Sequence, residues 1–168
     1  MQPGGGLFLV CIGLGLVAAA ALGGGAMRYG LPGGFVAGFL CIPLAITLAH
    51  GRFGRPTRLQ FVALYGAILL EMAIFVTLGR GGYFRGVPVT AWTTGLTIVA
   101  LHFIIMRWSH GPWMLRLAVA LLLWIALAYG LRLSFAALVI GDGVLKILFG
   151  LIMAAPLLGR PDTKTALP

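Results

Sequence analysis

Residues 133–158 read LSFAALVIGDGVLKILFGLIMAAPLL, an apolar run broken only by Asp142 and Lys146. A transmembrane helix needs about 20 mainly apolar residues, each rising about 1.5 Å, to cross a hydrocarbon core about 30 Å thick. This run is long enough, and its two charges stand four residues apart, so a helix carries both on one face. Five further runs meet the same condition, near residues 6–24, 32–50, 58–79, 88–107 and 112–130. The fold expected is an all-α polytopic membrane protein, a six-transmembrane-helix bundle with short loops.

The composition agrees. Of 168 residues, 61% are apolar and 9% charged, against roughly 25% charged in a soluble domain. Mean hydropathy is +1.07. A soluble globule and a disordered chain are both excluded, and two cysteines thirty residues apart make no disulfide framework. Between the runs stand turn formers: Gly23 to Gly25, Gly30 to Pro32, Gly51 to Pro56, Gly79 to Pro88, Ser109 to Pro112 and the tight Gly130-Leu131-Arg132. None has room for a second domain, so residues 1–168 are read as one integral membrane domain with a polar tail over 159–168. No Lys or Arg precedes Arg28, so the first run is read as a helix and not as a cleaved signal.

The net charge of +9 is distributed as orientation signals are, in connections and at helix ends. No connection is long enough to gather Lys, Arg and aromatics on one solvated surface, so no nucleic-acid partner is expected. Six spans put both termini and the second-to-third and fourth-to-fifth loops on one side. That side carries Arg52, Arg55, Arg58, Arg107, Arg160 and Lys164, with Arg116 just inside a helix; the other carries Arg28, Arg80, Arg85 and Arg132. The bias predicts a multi-pass protein of the inner cell membrane with both termini in the cytoplasm. Tyr83, Phe84, Trp92, Trp108 and Trp113 fall near span ends and read as interfacial anchors.

Charged and polar side chains inside a span are costly and mark a functional site or a polar contact. Glu71 lies nine residues before Arg80, about 13 Å from that helix end. Ala63, Ala67 and Glu71 recur every fourth residue, a stripe of small residues ending in a carboxyl that should face the bundle interior. Asp142, ten residues from Arg132, lies about 15 Å deep, close to Glu71 in depth. If Glu71 approaches the Asp142–Lys146 pair, the single amine cannot neutralise both acids, and one carboxyl should bind a proton or cation. The competing reading is a self-satisfied pair, with Glu71 hydrogen-bonded to a neighbouring helix.

Thr90, Thr93, Thr94 and Thr97 share one side of the fourth run and could line a wet path; the alternative is that each bonds its own i−4 carbonyl. His102 follows on the same helix, either as the end of a proton relay from Glu71 and Asp142 past Lys146 or as an interfacial histidine without a task. The candidate binding set is therefore Glu71, Asp142, Lys146, His102, Thr94 and Thr97. No catalytic set is expected. Ser109 and His110 are adjacent and should point apart, and no Walker, dinucleotide or GxSxG pattern occurs. His50, His102 and His110 lack metal-ligand spacing, so neither metal nor cofactor is expected. Cys11 and Cys41 lie within apolar runs and read as small hydrophobes, with no reactive pair expected.

Small-residue pairs Gly15 and Ala19, Gly34 and Gly38, and Gly150 and Ala154 permit close helix approach, within the chain or towards a second copy or another membrane protein. Pro43 and Pro156 are expected to kink their helices. Three functional expectations follow in order. First comes a transporter- or channel-like protein for a proton, ion or small polar solute; next a non-catalytic membrane subunit or assembly partner packing through Gly15, Ala19, Gly34 and Gly38; last a membrane enzyme. Besides the lipid bilayer, no particular substrate is implied.

Overall fold

A computed structural model describes residues 2–23, 26–49, 57–81 and 88–157. Six α-helices follow in chain order: α1 (Gln2–Leu22), α2 (Met27–Ala49), α3 (Arg58–Arg80), α4 (Pro88–His110), α5 (Pro112–Gly130) and α6 (Phe135–Ala154). Strands are absent among the described residues. Five helices are long and apolar enough to cross a membrane, and α2 contributes a shorter apolar stretch, Gly33–Leu44. The chain is a helical membrane protein.

Local chemistry sets the helix ends. Thr57 and Gln60 open α3 with a reciprocal cap: the Thr57 N–H donates to Gln60 Oε1 at 2.9 Å and the Gln60 N–H to Thr57 Oγ1 at 3.3 Å. The fourth helix runs through Ser109 to His110, further than the apolar run suggests. Its break from α5 is Gly111, whose φ of +87° suits a residue without Cβ; Pro112, needing no N–H partner, then begins α5. Ser134 caps α6 by accepting the Ala137 N–H at 3.2 Å, so this helix starts inside the expected span. It also ends early. Pro156 does not kink α6 but lies in the 3₁₀ turn Ala155–Leu157 that closes it, because proline cannot continue the N–H ladder. Pro43 is carried within α2, where the Thr47 hydroxyl donates to its carbonyl at 3.0 Å.

In contact order the helices run α2, α1, α6, α5, α4, α3, and α1 also touches α4. Thus α1, α4, α5 and α6 form the centre, while α2 leans on α1 and α3 on α4. Lipid is as apolar as leucine, so these contacts rest on close van der Waals fit more than on removal from water. The α1–α6 seam shows how. Gly6 faces Gly150 and Gly13 faces Gly143, seven residues apart on each antiparallel helix. A Cβ on Gly6 would stand 2.6 Å from the Gly150 carbonyl oxygen, and one on Gly13 2.5 Å from that of Gly143.

The opposite side of α1 receives α2 in the same way. Gly15 and Ala19 meet Gly30 and Gly34, while Gly38 leaves space for the Phe8 ring, which stands edge-on to Phe35 and Phe39 at 5.1 and 5.4 Å. The four small residues expected to attract a partner, Gly15, Ala19, Gly34 and Gly38, therefore meet one another's helices within the chain. Cys11 and Cys41 are neighbours. Their Sγ atoms lie 3.5 Å apart across this contact. A short bifunctional alkylating reagent is expected to join Cys11 to Cys41 in the folded protein, read as one bridged peptide pair by mass spectrometry; two singly alkylated thiols would mean that α2 docks elsewhere.

Interfacial aromatics divide. Trp108 and Trp113, on either side of the α4–α5 link, lie under the guanidinium groups of Arg107 and Arg116 at 4.9 and 4.4 Å. Trp92 instead packs against Phe135, with ring centroids 5.8 Å apart. Tyr83 and Phe84, like the tail over 159–168, lie outside the described residues.

Candidate site of intramembrane charge

Asp142 stands between Gly141 and Gly143, and these two glycines explain its burial. Gly143 admits α1, since a Cβ there would stand 2.8 Å from the Gly13 carbonyl oxygen. Gly141 admits α5, because the Trp124 ring occupies the place a Cβ would take. The Trp124 Nε1–H donates to the Leu138 carbonyl at 2.9 Å, which fixes the rotation of α6 against α5. Held from both sides, Asp142 is 0% and Lys146 1% exposed, and the two form an ion pair through Lys146 Nζ and Asp142 Oδ2. The expected i,i+4 pairing is present. It is not self-satisfied: the buried Asp142 Oδ1 has no hydrogen-bond partner among the described residues.

On α3 the stripe faces inward, with Ala63 and Ala67 buried, and Glu71 continues it toward α4. There its Oε2 lies 3.2 Å from His102 Nδ1, the side chains being 19% and 11% exposed. The distance is that of an ion pair. His102 is mostly buried and meets the Glu71 carboxyl beside the Phe103 ring. Two charged contacts therefore lie within the bundle: Glu71 with His102 between α3 and α4, and Asp142 with Lys146 along α6.

The threonines bond locally. Thr93 donates to the Val89 carbonyl and Thr97 to the Thr93 carbonyl, each at 2.8 Å, so the local alternative holds for Thr97. Thr94 is engaged as well. Beside Glu71 and His102 runs a groove of about 200 Å³ between α3 and α4, otherwise walled by Leu70, Ile74, Ile98, Leu101 and Ile105. Apart from Glu71 and His102 its walls are aliphatic.

Ser109 and His110, expected to point apart, touch: Ser109 Oγ lies 2.7 Å from His110 Nδ1 and 2.9 Å from the Met106 carbonyl oxygen. The serine has one proton, so either the Met106 carbonyl or His110 Nδ1 receives it, as the imidazole tautomer dictates. Both residues are buried where α4 turns into α5, and the ring fills the space beside Gly5 on α1. His50 lies outside the described residues, and no group of three or more metal-ligating side chains gathers among those described.

Two elements escaped the sequence reading. The Gly141-Asp142-Gly143 triplet was a legible signal, since glycine on both sides of an intramembrane acid announces close approach by two neighbours. The Glu71–His102 contact had none, because depth along each helix leaves the rotation of α3 about α4 undetermined.

Residues 2–159 match the model of a family of unknown function, DUF6609, and the chain belongs to that family. No curated protein and no solved structure matches the chain.

Proposed function

We propose that this member of DUF6609 binds and passes a proton at mid-membrane, as a small transporter- or channel-like protein of the inner membrane with both termini in the cytoplasm. The observation that carries the reading is a buried Asp142–Lys146 pair beside which a second intramembrane carboxyl, Glu71, stands with His102 Nδ1 3.2 Å away. Charge in a low dielectric must be balanced. Lys146 balances Asp142, which leaves Glu71 to be balanced by a proton, either on its own Oε2 or on His102 Nδ1. Both arrangements are neutral overall, and transfer between them moves the proton along one short contact.

Solute size favours the same choice. The described interior packs Asp142 and Lys146 to near-zero exposure, which suits a proton better than a hydrated cation. Arginine placement supports the topology, with the richer set on the side of the termini. In proteoliposomes holding a pH-sensitive dye, an imposed potassium diffusion potential should drive acidification by the wild type. Glu71→Gln should lose it, His102→Phe should reduce it at least about tenfold, and both should remain folded. Equal flux in wild type and Glu71→Gln would refute the reading.

A further inference from the structure

A second groove, of about 400 Å³, lies where α5 ends, α6 begins and α4 starts. Ile125, Ala128, Phe135 and Leu138 give it apolar walls, and Tyr129 and Arg132 stand at its mouth. Three helix ends meet here, so in a bilayer the mouth lies at headgroup level and the walls at the level of acyl chains.

Arg132 is unusual in two independent ways. Its φ is +51°, the sole positive value among described non-glycine residues, although the chain uses 26 glycines. The turn is tied down by the Arg132 N–H on the Tyr129 carbonyl at 3.1 Å and the Leu133 N–H on the Ala128 carbonyl at 2.9 Å. A side chain with Cβ is disfavoured in that region, where glycine would be free. Among the described residues Arg132 also has no counter-charge. Of the three acids in the chain, Glu71 stands against His102, Asp142 pairs with Lys146 and Asp162 lies outside the described residues. An exposed guanidinium beside an apolar groove, with a tyrosine hydroxyl at the same mouth, complements one kind of molecule: a phosphodiester with an acyl chain attached.

We propose that the α4–α5–α6 groove binds an anionic phospholipid, its phosphate on Arg132 and Tyr129 and one acyl chain along Ile125, Ala128 and Leu138. The site is separate from Glu71 and His102 and does not depend on them. Native mass spectrometry of the full chain, released from detergent with equimolar phosphatidylglycerol and phosphatidylcholine, should retain one phosphatidylglycerol. Arg132→Gly should weaken that retention about tenfold, the scale of one charge-assisted phosphate contact. The same variant should keep or raise the lipid-free melting temperature, because it relieves the backbone. Equal retention of the two lipids, or undiminished retention by Arg132→Gly, would overturn the proposal. So would displacement of phosphatidylglycerol by an equal concentration of inorganic phosphate, which would make this an ion site and not a lipid groove.

Discussion

Lys146→Met alone is expected to destabilise the bundle by about 3–5 kcal/mol, the cost of leaving one member of a buried pair without its partner. Asp142 would remain at 0% exposure, with Oδ1 already unpartnered and Oδ2 newly so. Among the described residues Lys146 alone pairs with Asp142. The double variant Asp142→Asn/Lys146→Met should recover most of the loss, since it removes both charges and keeps both volumes. Reversible unfolding in mixed micelles of mild detergent and dodecyl sulfate measures all three proteins. Equal stability of Lys146→Met and wild type would mean that the pair is solvated, contrary to its burial.

Gly13→Val is the second large effect. Even a Cβ at this position would stand 2.5 Å from the Gly143 carbonyl oxygen and 2.7 Å from Ile147 Cγ1, and backbone cannot rotate aside as a side chain can. Forcing the α1–α6 seam apart should cost at least about 1–3 kcal/mol. It should also loosen the packing that encloses Asp142, because Gly143 belongs to the same contact. Gly66→Ala is the matched control: nothing lies within 4 Å of a Cβ there, so alanine should stabilise α3 by up to about 1 kcal/mol through helix propensity. The two substitutions are expected to move the unfolding midpoint in opposite directions. A Gly13→Val midpoint at or above that of wild type would place α1 elsewhere.

Span positions could be read from the chain because hydrocarbon thickness sets a length and apolar runs display it. Residues 58–79 and 112–130 appear as α3 and α5 to within one residue. Ends governed by capping were less legible: Ser134 and Pro156 trim α6, and Gly111 lets α4 run on to His110. The Asp142–Lys146 pair and the inward stripe of Ala63, Ala67 and Glu71 follow from helical periodicity alone. What spacing could not supply was which helices are neighbours. Cys11 meets Cys41, Gly15 meets Gly34 and Glu71 meets His102 because of packing order and rotation, which periodicity within one helix does not encode. Thr97 illustrates the converse. Its periodicity suggested a polar face, but a hydroxyl one turn from a carbonyl bonds locally before it lines anything.

We propose that Glu71 and the Asp142–Lys146 pair form one coupled site. Infrared difference spectroscopy of the Glu71 carboxyl, assigned by its loss in Glu71→Gln, follows its protonation with pH in the wild type and in Asp142→Asn/Lys146→Met. Coupling predicts that the carboxyl band titrates over a different pH range once the pair is gone. An identical titration in both proteins would contradict the claim and leave Glu71 and His102 as an isolated contact between α3 and α4.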